Sequence, residues 1–338
     1  MNNKTFSIQL SNYFLKYIPS RTGYSINTIK SYRDTFIIFL KYLTEHLNIK
    51  SDKIEFSLLN RDTIEDFLSW LEIQKSYSVS SRNIRLAALH AFFRYLLLDS
   101  PEYMELCNTI LAIKSKRLPL KEMNYLSIEA IKVLFSMPNI NSKSGRRDLA
   151  IIALMYDSGA RVQEIADLRV IDLRKNKPAT VLLTGKGKKS RVIPLVQQTL
   201  NILNKYMNDY GIFSTSNETD PLFFNYNKDK LTRAGLTYIL NKYVKKSMTN
   251  NKDLFPDKIS PHTLRHSKAM HLLQSDVNLI YIRDFLGHSS VTTTEIYARS
   301  NPEIKRAAIE KASEKFLTKE KFSTKEKKDL FDFLKSMI

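Results

Sequence analysis

The spacing of apolar residues changes once near the middle of this chain and then changes back. Most of the sequence repeats its apolar positions at helical intervals, but ATVLLTGKGKKSRVIPL, residues 179 to 195, reads as a β-branched strand, a Gly-Lys turn and a second β-branched strand. One such hairpin within a helical background requires a mainly α chain carrying a small β-hairpin or sheet. Its turn carries Lys186, Lys188 and Lys189 forward, with Arg191 on the returning strand.

The first third is helical throughout. SINTIKSYRDTFIIFLKYLTEH, from Ser25, repeats apolar positions at Ile29, Tyr32, Phe36, Phe39 and Leu43. NRDTIEDFLSWLE opens with Asn60 as a cap and acidic residues in its first turn, and its helix runs to Ile73. Residues 78 to 98 form a third helix and residues 7 to 18 a shorter one, together a four-helix domain over 1–112. The segment IKSKRLPLKEMNYLS, with Pro119 and no sustained period, reads as a linker or strap over 113–124, with the boundary near residue 118. A second, mixed α/β domain is expected over 125–315, and a charged tail over 316–338.

A chain of 338 residues is long enough for two such cores. Its formal charge is +19, unevenly held: residues 1 to 120 carry an excess of +5 and residues 121 to 338 an excess of +14. Such a surplus suits a polyanion, because each neutralised phosphate releases condensed counterions, while a lipid surface or simple solubility would also accommodate it. Cys107 is the sole cysteine, which excludes an intramolecular disulfide and any cysteine-rich metal site. No apolar run approaches the roughly 20 residues of a membrane span, and no secretory segment follows the polar N-terminus, so the expected location is cytoplasmic.

The chemistry gathers late in the sequence. Within PHTLRH, His262 and Arg265 stand three apart on one helical face that starts near Pro261. Gly287 is a candidate left-handed C-cap that turns His288 sharply out of the preceding helix, and Tyr297 follows nine residues later. Arg161 follows SGA at the start of a helix that also carries Glu164. Around one phosphate these side chains have a joint use: Arg161 and Arg265 each offer two donors to nonbridging oxygens, supporting the charge of a pentacoordinate phosphorus. Positive groups near Tyr297 are expected to favour phenolate character as attack proceeds, with His262 accepting its proton and Lys186 protonating the departing sugar oxygen. His288 fits a phosphate hydrogen bond or support for the nucleophile. Attack by tyrosine conserves the phosphodiester in a protein linkage, so strands can be transferred without ATP.

His262 and His266 have the i,i+4 spacing of a metal pair, but there is no HExxH, no neighbouring cysteine, and Arg265 lies between them. No metal or other cofactor is expected. His266 reads as an inward hydrogen-bonding support, His271 as a solvent contact and Tyr281 as a packing tyrosine.

The pieces SGARVQEIADL with Arg161, TGKGKKSRVIPL with Lys186, PHTLRHSKAMHLL with His262 and Arg265, FLGHSS with His288, and TTTEIYARS with Tyr297 make the chain resemble a tyrosine recombinase of the phage integrase family. It resembles Xer-type enzymes and mobile-element integrases or transposases over nearly its whole length. The resemblance implies a helical core-binding domain ahead of a catalytic domain, and a catalytic set of Arg161, Lys186, His262, Arg265, His288 and Tyr297. It implies Glu164 as support for the arginine-bearing helix. It further implies a clamp on duplex DNA, a homotetramer pairing two sites, exchange through a Holliday junction, a tyrosine linked to the 3′ end, and accessory DNA-bending or directionality proteins. Lys188, Lys189 and Arg191 are the expected DNA contacts, and the apolar end of the tail is expected to dock on a neighbouring protomer.

Two other functions compete. A topoisomerase shares the covalent step but rejoins the original partner. A catalytically silent architectural protein needs only the charge, and leaves the six-residue pattern unexplained.

Overall fold

The computed structural model describes residues 5–21, 23–50, 53–118, 123–185, 187, 189–212, 217–288 and 290–300, and beyond them 306, 332, 335 and 336. The chain divides into two compact units, Met1–Lys121 and Glu122–Ile338.

The first unit is all helix among its described residues. Phe6–Asn12 continues through a wider π-helical turn, Tyr13–Tyr17, into Ile18–Arg21. Ile26–His46, Arg61–Ile73, Val79–Asp99 and Met104–Leu111 follow. The three long helices start where a side-chain oxygen replaces a missing intrahelical acceptor: Ser25, Asn60 and Ser78 accept from the N–H groups of Thr28, Thr63 and Ser81. Their core is aromatic, with Phe92 meeting Phe6, Tyr13, Phe36 and Phe93 edge to face. Met104–Leu111 is an addition to the four helices anticipated, and its buried Cys107, whose thiol burial pushes up to about 11, belongs to the same core.

The second unit surrounds a small sheet with helices. Ile128–Ser136, Lys143–Asp157 and Val162–Asp167 precede it. The hairpin strands β2, Thr180–Thr184, and β3, Ser190–Pro194, are joined by a two-residue strand β1, Leu173–Arg174, in the order β1-β2-β3, all antiparallel. Val181 pairs with Ile193 and Leu183 with Arg191, so these four share the face turned to the core. Gln197–Asp209, Arg233–Met248, Pro261–Gln274, Leu279–Leu286 and Thr292–Ser300 complete the described elements.

Two minor expectations fail. His271 is buried, its Nδ1 2.8 Å from the Tyr156 hydroxyl, because the seventh-residue return of the Pro261–Gln274 helix carries it back beside the buried Leu264. Tyr281 is 71% exposed, since Ile282 and Leu286 are the buried positions of its helix.

Candidate active site

Three arginines converge on the C-terminal end of the Leu279–Leu286 helix, and each takes a different carbonyl. Arg191 Nε donates to Phe285 O at 2.8 Å, Arg265 Nη2 to Leu286 O at 2.6 Å, and Arg161 Nη2 to Gly287 O at 3.3 Å. Those carbonyls lie at the end of a helix where intrahelical donors run out and the backbone dipole is negative. Gly287 makes the arrangement reachable: at φ 65° and ψ 47° it ends the helix in the left-handed region, and the His288 N–H turns back to Arg283 O at 3.0 Å.

One carboxylate answers the arginines. Glu164 is 4% exposed and takes a two-pronged contact from Arg191, Nη1 to Oε1 at 2.9 Å and Nη2 to Oε2 at 2.8 Å. It also accepts from the Arg161 N–H at 2.8 Å and from Arg161 Nη1 at 3.0 Å, so it caps the helix and holds its arginine. Burial works against its charge, but the hydrogen bonds and charge of Arg191, then those of Arg161, prevail and hold its carboxyl at about 2. Gly185, at the base of the hairpin, lies against this pair: a Cβ there would stand 2.9 Å from Glu164 Oε1.

Arg265 is 3% exposed, with Nη1 on Gly159 O at 2.7 Å as its second anchor. Burial, then the charges of Arg161 and Arg191, bring it down to about 10, so it stays cationic at neutral pH. Among the described residues, three guanidiniums stand against one carboxylate, which leaves the cluster short of negative charge. An anion fits that deficit.

Tyr297 is 2% exposed, packed with Ala269, Met270, Ile282 and Leu286. Its ring lies parallel to that of His288, centroids 6.4 Å apart, and His288 Nδ1 sits 3.0 Å from Thr294 Oγ1. Burial raises the phenol above its usual range, and Arg265 and Arg161 only partly offset this. In the DNA-free chain the hydroxyl is therefore protonated at neutral pH, and the phenolate character expected as attack proceeds is a separate matter. The imidazole against that hydroxyl is His266, Nδ1 to Oη 3.0 Å, while His262 is exposed one turn earlier on the helix. Burial, then positive neighbours, pull His266 and His288 each down to about 4.

Residues 124–303 match the model of the phage integrase family, and residues 12–99 that of the phage integrase N-terminal SAM-like domain. The chain belongs to the phage integrase family. A protein of Sinorhizobium fredii named as an integrase/recombinase, y4rC, is 34% identical over 309 residues, 90% of each chain. Tyrosine recombinase XerD of Listeria monocytogenes serotype 4b is 30% identical over 287 residues, 84% of this chain and 91% of that protein. A crystal structure of the XerH site-specific recombinase bound to palindromic difH substrate, in a post-cleavage complex, shares the fold at TM-score 0.66 and 22% identity, covering 84% of this chain and 80% of that one.

This tyrosine recombinase is thus an enzyme of site-specific strand cleavage and exchange. Of its anticipated residues, Arg161, Glu164, Arg265, His266, His288 and Tyr297 are joined by the contacts above. Lys186 and Lys188 lie outside the described residues, as does almost all of the 316–338 tail. Lys189 is exposed, and its carbonyl closes the hairpin by accepting from Gly185 N–H at 2.8 Å. Arg191 departs from its expected role on DNA: its side chain is 12% exposed and its guanidinium is committed to Glu164 and Phe285. The signal was present in the sequence, because Arg191 and Ile193 have the same parity along one strand. Among the described residues, no group of three or more His, Cys, Asp or Glu is placed to hold a metal ion, and no helix is long and apolar enough to cross a membrane.

Proposed function

We propose that this recombinase cleaves duplex DNA by attack of Tyr297 on the scissile phosphate, leaving a 3′-phosphotyrosyl linkage and a free 5′ hydroxyl. The observation that carries the reading is the charge-deficient cluster of Arg161, Arg265 and Arg191 beside His288 and the buried Tyr297 hydroxyl. A nonbridging oxygen is a stronger acceptor than the carbonyl at 3.3 Å that Arg161 Nη2 now contacts, so the phosphate takes over that donor. Arg265 keeps its backbone anchors and supplies charge in a dry setting, where the developing negative charge of the transition state is stabilised most. His288 donates to the phosphate, and exposed His262 meets the DNA backbone. Lys186, on the hairpin turn, is assigned the protonation of the leaving 5′ oxygen, with Lys188 and Lys189 on neighbouring phosphates.

In this reading residues 1–112 form a DNA clamp with the catalytic domain, 113–124 connect them, and four protomers pair two sites and exchange strands through a Holliday junction. Accessory DNA-bending or directionality proteins assist, and the 316–338 tail docks on a neighbour. Mobile-element integration, excision or transposition is the favoured use, in line with the integrase/recombinase of Sinorhizobium fredii. Resolution of replicated circles is the second reading, favoured by the XerD relative. Either places the enzyme on cytoplasmic DNA.

The test is capture of covalent protein–DNA adducts from host cells under denaturing conditions, with the attached ends sequenced. Wild-type adducts at paired repeats, absent from Tyr297→Phe while DNA binding persists, are expected. Equal adducts from both chains would remove Tyr297 as the nucleophile.

A further inference from the structure

We propose that His266 is the proton acceptor for Tyr297, the imidazole that removes the phenolic proton as the phosphotyrosyl bond forms. The assignment rests on the reading of Tyr297 as nucleophile and deepens it.

His266 stands at hydrogen-bond distance from the reacting oxygen, Nδ1 to Oη 3.0 Å, with ring centroids 5.7 Å apart. Reach of this kind is the first requirement of a general base. His262, on the preceding turn, is exposed, its ring centroid 6.3 Å from that of His266. Among the described residues, the groups that face His266 are His262 and Arg265 from its own helix, Tyr297 from the Thr292–Ser300 helix and His288 from the turn after Leu279–Leu286. None is a carboxylate. Burial first, then His262 and Arg265, keep the imidazole neutral at pH 7, and the assignment requires its Nε2–H tautomer, in which Nδ1 offers a lone pair to the Tyr297 O–H.

So weak a base would not hold a phenol's proton in the resting enzyme. Phosphate changes both partners. Its negative charge beside Arg265 raises the imidazole's proton affinity, and the phenolic oxygen loses its own as its lone pair moves to phosphorus. Transfer is then concerted with attack: the Oη–P bond forms, the bond from phosphorus to the 5′ oxygen breaks, and the phenolic proton passes to His266 Nδ1. A separate acid, assigned above to Lys186, protonates the departing oxygen. When a 5′ hydroxyl attacks the linkage in the reverse step, His266 returns its proton to the tyrosine oxygen.

The experiment is single-turnover formation of the covalent complex by the full chain on a nicked duplex carrying the sequence recovered from wild-type adducts, the nick letting the cleaved end diffuse away. His266→Asn should bind this duplex as wild type does and react about 10²–10³-fold more slowly. Its rate should climb with pH where the wild type is flat, and fluorotyrosines of lower phenol pKa at position 297 should restore part of the loss. A wild-type rate in His266→Asn overturns the assignment. So does a uniform slowing that neither pH nor fluorotyrosine relieves, which marks packing support alone, and so does the same signature appearing in His262→Asn instead.

Should His266→Asn fail to bind the duplex, fluorotyrosines in the otherwise wild-type chain decide. A shallow dependence of rate on phenol acidity supports removal by a base, and a rate that follows the phenolate fraction overturns it. A covalent complex from Tyr297→Phe takes down the nucleophile and this assignment together, whereas failure at His266 alone leaves Tyr297 standing.

Discussion

Glu164 sets the balance of charge at the residue scale. Without it, Arg161, Arg191 and Arg265 would repel one another in a partly buried cluster; with it, two of them are held by ion pairs of 2.8–3.0 Å. Removing Arg191 leaves the buried carboxylate one partner short, a change that typically costs about 3–5 kcal/mol. The pH sign follows from the direction of the shift. Glu164 is held at about 2 against an ordinary 4.5, so its stabilisation is complete above pH 4.5 and is lost as pH falls toward 2. Arg191→Ala should lower stability at neutral pH and move this acid limb upward. His266 and His288, held below their usual range, also cost stability as pH falls from 6.5 toward 4. Arg191 is also among the charges that hold His288 down, so urea melts of variant and wild type are compared at matched pH between about 4 and 2, below the histidine window, where the carboxylate limb stands alone. An unchanged acid limb would show that Arg191 does not hold the carboxylate.

At the scale of elements, the end of the Leu279–Leu286 helix joins strand β3, the Pro261–Gln274 helix and the Arg161 turn through three consecutive carbonyls. Gly287 is where that junction is most exposed to mutation. A Cβ there meets Arg191 at 3.0, 3.1 and 3.4 Å on a backbone at φ 65°. Gly287→Ala should lower stability by about 1–2 kcal/mol from the left-handed backbone alone, and should reduce DNA cleavage more than DNA binding as Arg191 is displaced. Gly187, also left-handed at φ 75° but with nothing among the described residues beyond its chain neighbours within 4 Å of its Cβ position, is the control. Gly187→Ala should show the backbone cost alone, read from paired thermal melts and cleavage assays. Equal cleavage by the two variants would deny the Gly287 contact its role.

For the whole molecule, charge governs association. An excess of +19, most of it in residues 121 to 338, should make DNA affinity fall steeply with salt, by about 10³-fold or more between roughly 50 and 200 mM. Tyr297→Phe should leave that slope intact, since the hydroxyl carries no charge. Filter binding over a salt series checks both, and a flat response would reject the polyanion reading.

The helices, the hairpin and their approximate ends were legible because local rules make them: Ser25, Asn60 and Ser78 cap their own helices, Pro261 opens one, and Gly287 closes another. The residues of the candidate site were legible as types and order, since Arg161, Arg265, His288 and Tyr297 recur in a spaced pattern that charge alone would not produce. Their partners were not. That His266 faces the Tyr297 hydroxyl, and that Arg191 turns inward to Glu164, depend on contacts between segments 31 and 27 residues apart, which only packing brings together. The sequence by itself determined which side chains are available for chemistry and on which kind of element each is carried, because caps, periodicity and parity act within a few residues. Only the tertiary structure decided which imidazole meets the Tyr297 hydroxyl and which arginine turns inward to Glu164, because burial and long-range hydrogen bonds select among side chains that local rules leave equivalent.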